Sequence, residues 1–246
     1  SLYLSNNLFK CFILFIFFII NIVSIPQSII YVVILAIFSL IGCKPDDILV
    51  NLYTTDVDVA AGGEVVEIPV TAKFSLLGED DDGSLERAVK ATQRYLHPDT
   101  KFTRSQSEFS ETIVVETLIP LGTQKALENY FTTNATVAYL ELYNNTEFGG
   151  YEITLYGSKG AASLHQTLQG INFMLGFDLP AGSTVIRVIS DSRNKILVEA
   201  DAVFVSSEPH LYFSTDLERR DEVNIEFKGG DDSIWSAIAP VIYVQQ

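Results

Sequence analysis

Apolar and polar positions alternate with a period of two through much of the chain. Val66, Ile68, Val70, Ala72, Phe74 and Leu76 alternate with Glu67, Thr71, Lys73 and Ser75, the pattern of a strand with one buried face. Further strand signals lie at Ile48–Tyr53, Thr112–Ile119, Thr136–Tyr143, Tyr151–Tyr156, Thr184–Ile189, Lys195–Val205, Glu222–Phe227 and Val241–Val244. Pro69 predicts an edge position, because it has no N–H to give to a ladder. Three stretches change to helical spacing. Leu85–Leu96 places Leu85, Ala88, Val89, Thr92, Tyr95 and Leu96 on one face. Gln124–Phe131 follows a capping Thr123. A third helix is predicted to open at Ser163, where Ser163-Leu164-His165-Gln166 has capping-box spacing and Leu164, Leu168, Ile171 and Leu175 form a stripe.

These elements predict an α+β fold, with mainly antiparallel sheet and about three helices. The order strand-helix-strand occurs at Val65–Ile119 and again at Tyr151–Val205. Arg104-Ser105-Gln106-Ser107-Glu108 before Ile113-Val114-Val115-Glu116 is echoed by Arg187-Val188-Ile189-Ser190-Asp191 before Ile196-Leu197-Val198-Glu199. Two similar lobes, about 48–148 and 149–246, are therefore expected.

The first 42 residues follow no such pattern. Two apolar blocks, Cys11–Ser24 and Ile29–Gly42, are separated by Ile25-Pro26-Gln27-Ser28, and Lys10 is the one charge among them. Each block is shorter than the ~20 apolar residues a membrane span needs. The second block ends in Leu40-Ile41-Gly42-Cys43 and gives way at once to Lys44-Pro45-Asp46-Asp47. The segment from Lys10 to Cys43 resembles a bacterial lipoprotein signal, with a large aliphatic residue three positions before the cysteine and a polar start after it.

That resemblance implies a signal peptide over residues 1–42, diacylglycerol on the sulfur of Cys43 and palmitate on its new amino group. It also implies a short tether at 43–47 and an acidic globular domain over 48–246. Lys44, in place of a retaining aspartate, implies the outer membrane facing the periplasm. Each buried CH₂ of an acyl chain contributes roughly 0.8 kcal/mol, and two or three chains hold a protein stably on a bilayer. The chain opens on Ser1 and its one methionine is Met174, so the leader reads as over-extended at its start.

Charge removes one class of partner. The chain carries 16 Lys+Arg against 31 Asp+Glu, a net charge of −15, and Arg219-Arg220 is its one strong basic pair. Nucleic acid is therefore not an expected partner. Cys11 and Cys43 are the only cysteines, so with Cys43 lipidated the domain has no thiol for catalysis, disulfide or metal. Asp80-Asp81-Asp82-Gly83-Ser84 has the clustered carboxylates of a calcium loop but not its spacing, since the sixth and twelfth positions are Leu85 and Ala91. It reads as acids ahead of a helix N-terminus, and Gly229-Gly230-Asp231-Asp232-Ser233 reads as a second polar turn.

His97, His165 and His210 stand apart without ligand-spaced partners. Ser163 lacks a nucleophile elbow, and Gly157-Ser158-Lys159-Gly160 lacks phosphate-loop spacing. No catalytic residue, metal or cofactor is expected.

The binding signal is aromatic. Tyr139, Tyr143, Tyr151 and Tyr156, with Tyr130 just before them, are interspersed with Asn129, Asn134, Asn144, Asn145, Glu141 and Glu147. Rigid rings supply contact area and amides adaptable hydrogen bonds. The expected function is a lipid-anchored, non-catalytic binding or assembly module of the bacterial envelope. Its expected partners are the membrane, through Cys43, and an envelope protein or glycan. The alternatives are an envelope hydrolase assembled from distant residues, with His165 or His210 near a buried carboxylate, and a phage or mobile-element exclusion lipoprotein.

Overall fold

A computed structural model describes residues 47–77, 83–106, 110–145, 149–171, 183–228 and 241–245. The chain divides into a unit of residues 1–42 and a unit of residues 43–246, and everything described here belongs to the second. Cys43 and the acidic turns 80–82 and 229–233 lie outside the described residues.

In chain order the elements are β1 Asp47–Tyr53, α1 Thr54–Ala61, β2 Val66–Leu77, α2 Ser84–Thr92 with a 3-10 turn at Gln93–Tyr95, β3 Lys101–Gln106, β4 Ser110–Thr123 and α3 Gln124–Tyr130. They continue with β5 Ala138–Asn145, β6 Gly150–Gly157, α4 Lys159–Ile171, β7 Ser183–Ile189, β8 Ile196–Val205, β9 Glu208–Leu217, β10 Glu222–Lys228 and β11 Val241–Gln245.

Nine of the strands form a closed barrel. The circuit runs β10-β7-β1-β2-β4-β5-β6-β11-β8 and returns to β10 through the pair Phe204–Glu226. β3 attaches to β4, and β9 to β8. Two pairings are parallel, β1 with β7 from Asp47↔Ser183 to Tyr53↔Ile189, and β4 with β5 around Leu121↔Leu140. The other pairings are antiparallel.

Alternation explains the interior. Ile48, Val50 and Leu52 of β1, Ile186 and Val188 of β7, Leu140 and Leu142 of β5, and Ile242 and Val244 of β11 are all buried in one core. Their strand neighbours point outward and are half-buried or exposed. Closing the sheet buries one apolar face of every strand at once and leaves few free edges. Helix α1 packs against β1, β2, β4 and β5, with Val57 and Ala60 fully buried. α2 and α4 pack against each other and add Leu85, Ala88, Leu164 and Leu168 to the core.

This architecture overturns the expected α+β fold of antiparallel sheet, about three helices and two strand-helix-strand lobes. The expected strands and helices exist, but β1 pairs in parallel with β7 and β6 is separated from β8 by β11. Strands β1, β2, β4 and β5 of the first half form one arc, β6, β11, β8, β10 and β7 of the second half form the other, and the two arcs close into one barrel around a single core instead of two lobes. Among the described residues there are four short helices, the unexpected one being α1.

Two local expectations also change. Pro69 lies within β2, inside the circuit, and not on an edge strand. The β1 pairing nevertheless ends at Val50↔Val70, so on that side Pro69 has no ladder partner. The third helix starts four residues earlier than its capping-box signal. Gly160 N–H donates to Ser158 Oγ at 2.9 Å, making Ser158 the cap, while Ser163 Oγ donates back to Lys159 O at 3.3 Å from inside the helix.

Candidate surface site

The β5–β6 hairpin decides where its tyrosines point. Its register joins Tyr139 to Tyr156 and Tyr143 to Glu152, while Leu140 faces Leu155 and Leu142 faces Ile153. The leucines and Ile153 are buried, so Tyr139, Tyr143 and Tyr156 stand on the outside of the barrel. Tyr151 has the opposite parity and packs against the core. Three of the four candidate tyrosines therefore share a surface and the fourth is structural.

Helix α3 extends that surface. The rings of Tyr130 and Phe131 are 6.0 Å apart, Phe131 meets Tyr139 edge-on at 5.2 Å, and Tyr139 lies 5.6 Å from Tyr156. Four rings thus form a contiguous row, with Phe131 and Tyr156 exposed by more than a third. Sequence reasoning missed Phe131; its signal was the Tyr130-Phe131 pair at the end of a short helix beside the tyrosine-rich hairpin.

Carboxylates flank the rings. Tyr130 Oη donates to Glu67 Oε1 at 3.4 Å. Burial and then the charge of Glu67 push the Tyr130 hydroxyl above its ordinary pKa. Burial, then Glu141 and Tyr156, do the same to Tyr139. Glu141 separates Tyr139 from Tyr143 along the outer face of β5, and Tyr143 is 64% exposed.

From Tyr143 the pattern crosses the sheet. Tyr143 pairs with Glu152, Glu152 with Tyr243 and Tyr243 with Glu199. The Glu199 carboxylate accepts the Tyr212 hydroxyl, which raises the Tyr212 pKa. Burial, followed by Glu152 and Asp201, raises that of Tyr243. The outer face of β5, β6, β11 and β8 therefore alternates phenols with carboxylates over a continuous patch, offering ring faces and negative charge together.

The histidines stay apart. His97 Nε2 is 3.3 Å from Glu67 Oε1 and its Nδ1 3.8 Å from Asp99 Oδ2. Those acid side chains are 40% and 84% exposed, so neither is desolvated. His210 stacks edge-on against Phe213 at 5.5 Å, and His165 is a helical residue of α4. Among the described residues no three His, Cys, Asp or Glu side chains gather as a metal site. No helix among them is long and apolar enough to cross a membrane.

A scan against protein-family models finds no match for this chain, and a search of the curated proteins finds none similar to it.

Proposed function

We propose that this protein is a bacterial envelope lipoprotein, anchored through Cys43, whose barrel works without catalysis as a docking module for a basic polypeptide. The observation that carries the docking reading is the row Tyr130-Phe131-Tyr139-Tyr156 with Glu67 and Glu141 beside it. Tyrosine is enriched among the few residues that carry most of the binding energy at protein interfaces, and ring faces beside carboxylates attract Lys and Arg through cation–π and ionic contacts. The rings meet at interplanar angles of 81°, 67° and 34°. They make a contoured surface, which fits side chains of a protein better than the flat face of a sugar ring.

The anchor rests on Leu40-Ile41-Gly42-Cys43 and its apolar approach. Metabolic labelling with a fatty-acid analogue tests it: the wild type takes up label and Cys43→Ser does not, and equal labelling of both sinks the anchor.

For docking, photo-crosslinking in the native envelope followed by mass spectrometry identifies the partner. The double change Tyr139→Ala with Tyr156→Ala should remove that crosslink while the protein remains folded. An undiminished crosslink to the same partner overturns the assignment of this face.

A further inference from the structure

On the inner side of the barrel, α2 and α4 face β1, β2, β3 and β4 across a cavity of about 100 Å³. Its wall is almost entirely hydrocarbon. Among the described residues lining it, Thr92 and Thr117 alone carry side-chain polar atoms. Both hydroxyls are engaged: Thr92 Oγ1 donates to Ala88 O at 2.7 Å, and Thr117 Oγ1 shares a hydrogen bond with Thr100 Oγ1, also at 2.7 Å. Glu111, two residues before Ile113 on the same face of β4, is ion-paired with Arg104 of the neighbouring β3 at 2.8 Å.

A site of this kind rejects ions. A charged or strongly hydrogen-bonding guest would lose its hydration and find no partner in return. An uncharged apolar guest has no charge to desolvate and gains hydrocarbon contact along the wall. Dry protein cavities of roughly 150 Å³ lined by Leu, Ile and Phe hold benzene or xenon, so the present space suits a guest of about benzene's size or slightly less.

We infer that this cavity between α2, α4 and the barrel wall is a binding site for a compact, uncharged apolar molecule. It is independent of the outer tyrosine face, because it lies on the opposite side of the sheet. Ala72 of β2 and Ala88 of α2 both line it and are nearly buried, so enlarging either fills the space from one wall.

The test uses the full chain kept in solution by a fluorinated surfactant, with benzene as probe and octanoate as the charged control. Methyl resonances of Leu85 and Leu164, both lining residues, should shift saturably with benzene and stay still with octanoate. Ala88→Leu should weaken the benzene response at least tenfold. If Ala88→Leu does not fold, Ala72→Val is the second filling variant and should act in the same direction. Crystals of the wild type under xenon pressure should show xenon between Ala72 and Ala88. The inference fails if benzene produces no saturable shift, if xenon binds elsewhere and not in this cavity, or if a folded filling variant responds as the wild type does. A saturable octanoate shift of equal affinity overturns the uncharged class.

Discussion

Asp191 Oδ1 accepts a hydrogen bond from the backbone N–H of Thr55 at 2.9 Å, across 136 positions of sequence. Its other oxygen accepts the Thr55 hydroxyl at 2.5 Å, and Thr54 Oγ1 donates to Oδ1 at 2.9 Å. The residue preceding α1, Tyr53, offers no side-chain cap. The turn after β7 therefore caps the helix after β1, and the parallel β1–β7 pairing brings the two together. Asp191→Ala should cost about 1–2 kcal/mol, the usual range for a lost cap, read by urea unfolding. A change within error would show that solvent satisfies the α1 N-terminus equally well.

The same carboxylate gives a pH dependence. Burial alone would raise the Asp191 pKa, but the hydrogen bonds from Thr55 and Thr54 outweigh it and hold the group below its ordinary 3.8. A lowered folded-state pKa contributes stability above pH 3.8 that is lost as pH falls through the folded value. Asp56 shows the opposite shift, raised by burial and then by the charge of Asp191, so its contribution is present below 3.8 and lost as pH rises. Asp191→Asn should flatten the acid limb of the stability profile below pH 3.8. An acid limb as steep as that of the wild type would place the dependence elsewhere.

Thr184 is fully buried on the inner face of β7, and its hydroxyl has no hydrogen-bond partner among the described residues. An unsatisfied buried hydroxyl is a cost, and an isosteric methyl removes it. Thr184→Val should leave stability unchanged or raise it by up to about 1 kcal/mol. Thermal unfolding reads the sign, and a clear loss would mean the hydroxyl has a role in the fold.

Glycines separate into tolerant and intolerant positions. A Cβ on Gly160 would stand 2.4 Å from Thr136 O, and one on Gly150 2.6 Å from Val244 O. Both obstacles are backbone, so alanine there must displace the β4–β5 connection or β11. A Cβ on Gly170, near the end of α4, meets nothing within 4 Å. Gly170→Ala should stabilise by roughly 0.5–1 kcal/mol, while Gly150→Ala and Gly160→Ala should lower the melting temperature. Equal effects at the three positions would contradict this packing.

The hairpin tyrosines should divide by face. Tyr143→Ala, at a residue 64% exposed, should change stability by no more than about 0.5 kcal/mol. Tyr151→Ala removes a ring packed on the core and should cost several-fold more, toward the ~3–5 kcal/mol of buried aromatic truncations. Chemical denaturation of the two variants side by side measures the contrast.

Alternation made the barrel strands legible because each has one wet and one dry face. It could not name their neighbours, since inward parity is the same for a sandwich, an open sheet or a barrel. β9 escaped for a different reason. Positive φ at Ala202 interrupts β8, burial there passes from Val198 and Ala200 to Val203, and the pairing with β9 skips Leu211. The turn Ser206-Ser207 has positive φ at both residues without the glycine or asparagine that announces it.

Helix α1 was illegible because Thr54, Val57 and Val59 favour strands and its cap is Asp191. For the surface site, the tyrosine-rich composition was visible, whereas the contribution of Phe131 and the inward turn of Tyr151 depended on register.

β11 comes last in sequence among the described strands yet sits between β6 and β8. Val241–Gln245 are thus the link that joins those two strands in the circuit. The barrel therefore cannot close before that five-residue strand has been made, however early the other strands pair. A chain stalled or clipped before Val241 would keep two unpaired strand edges and the capacity to recruit a foreign β-segment in their place.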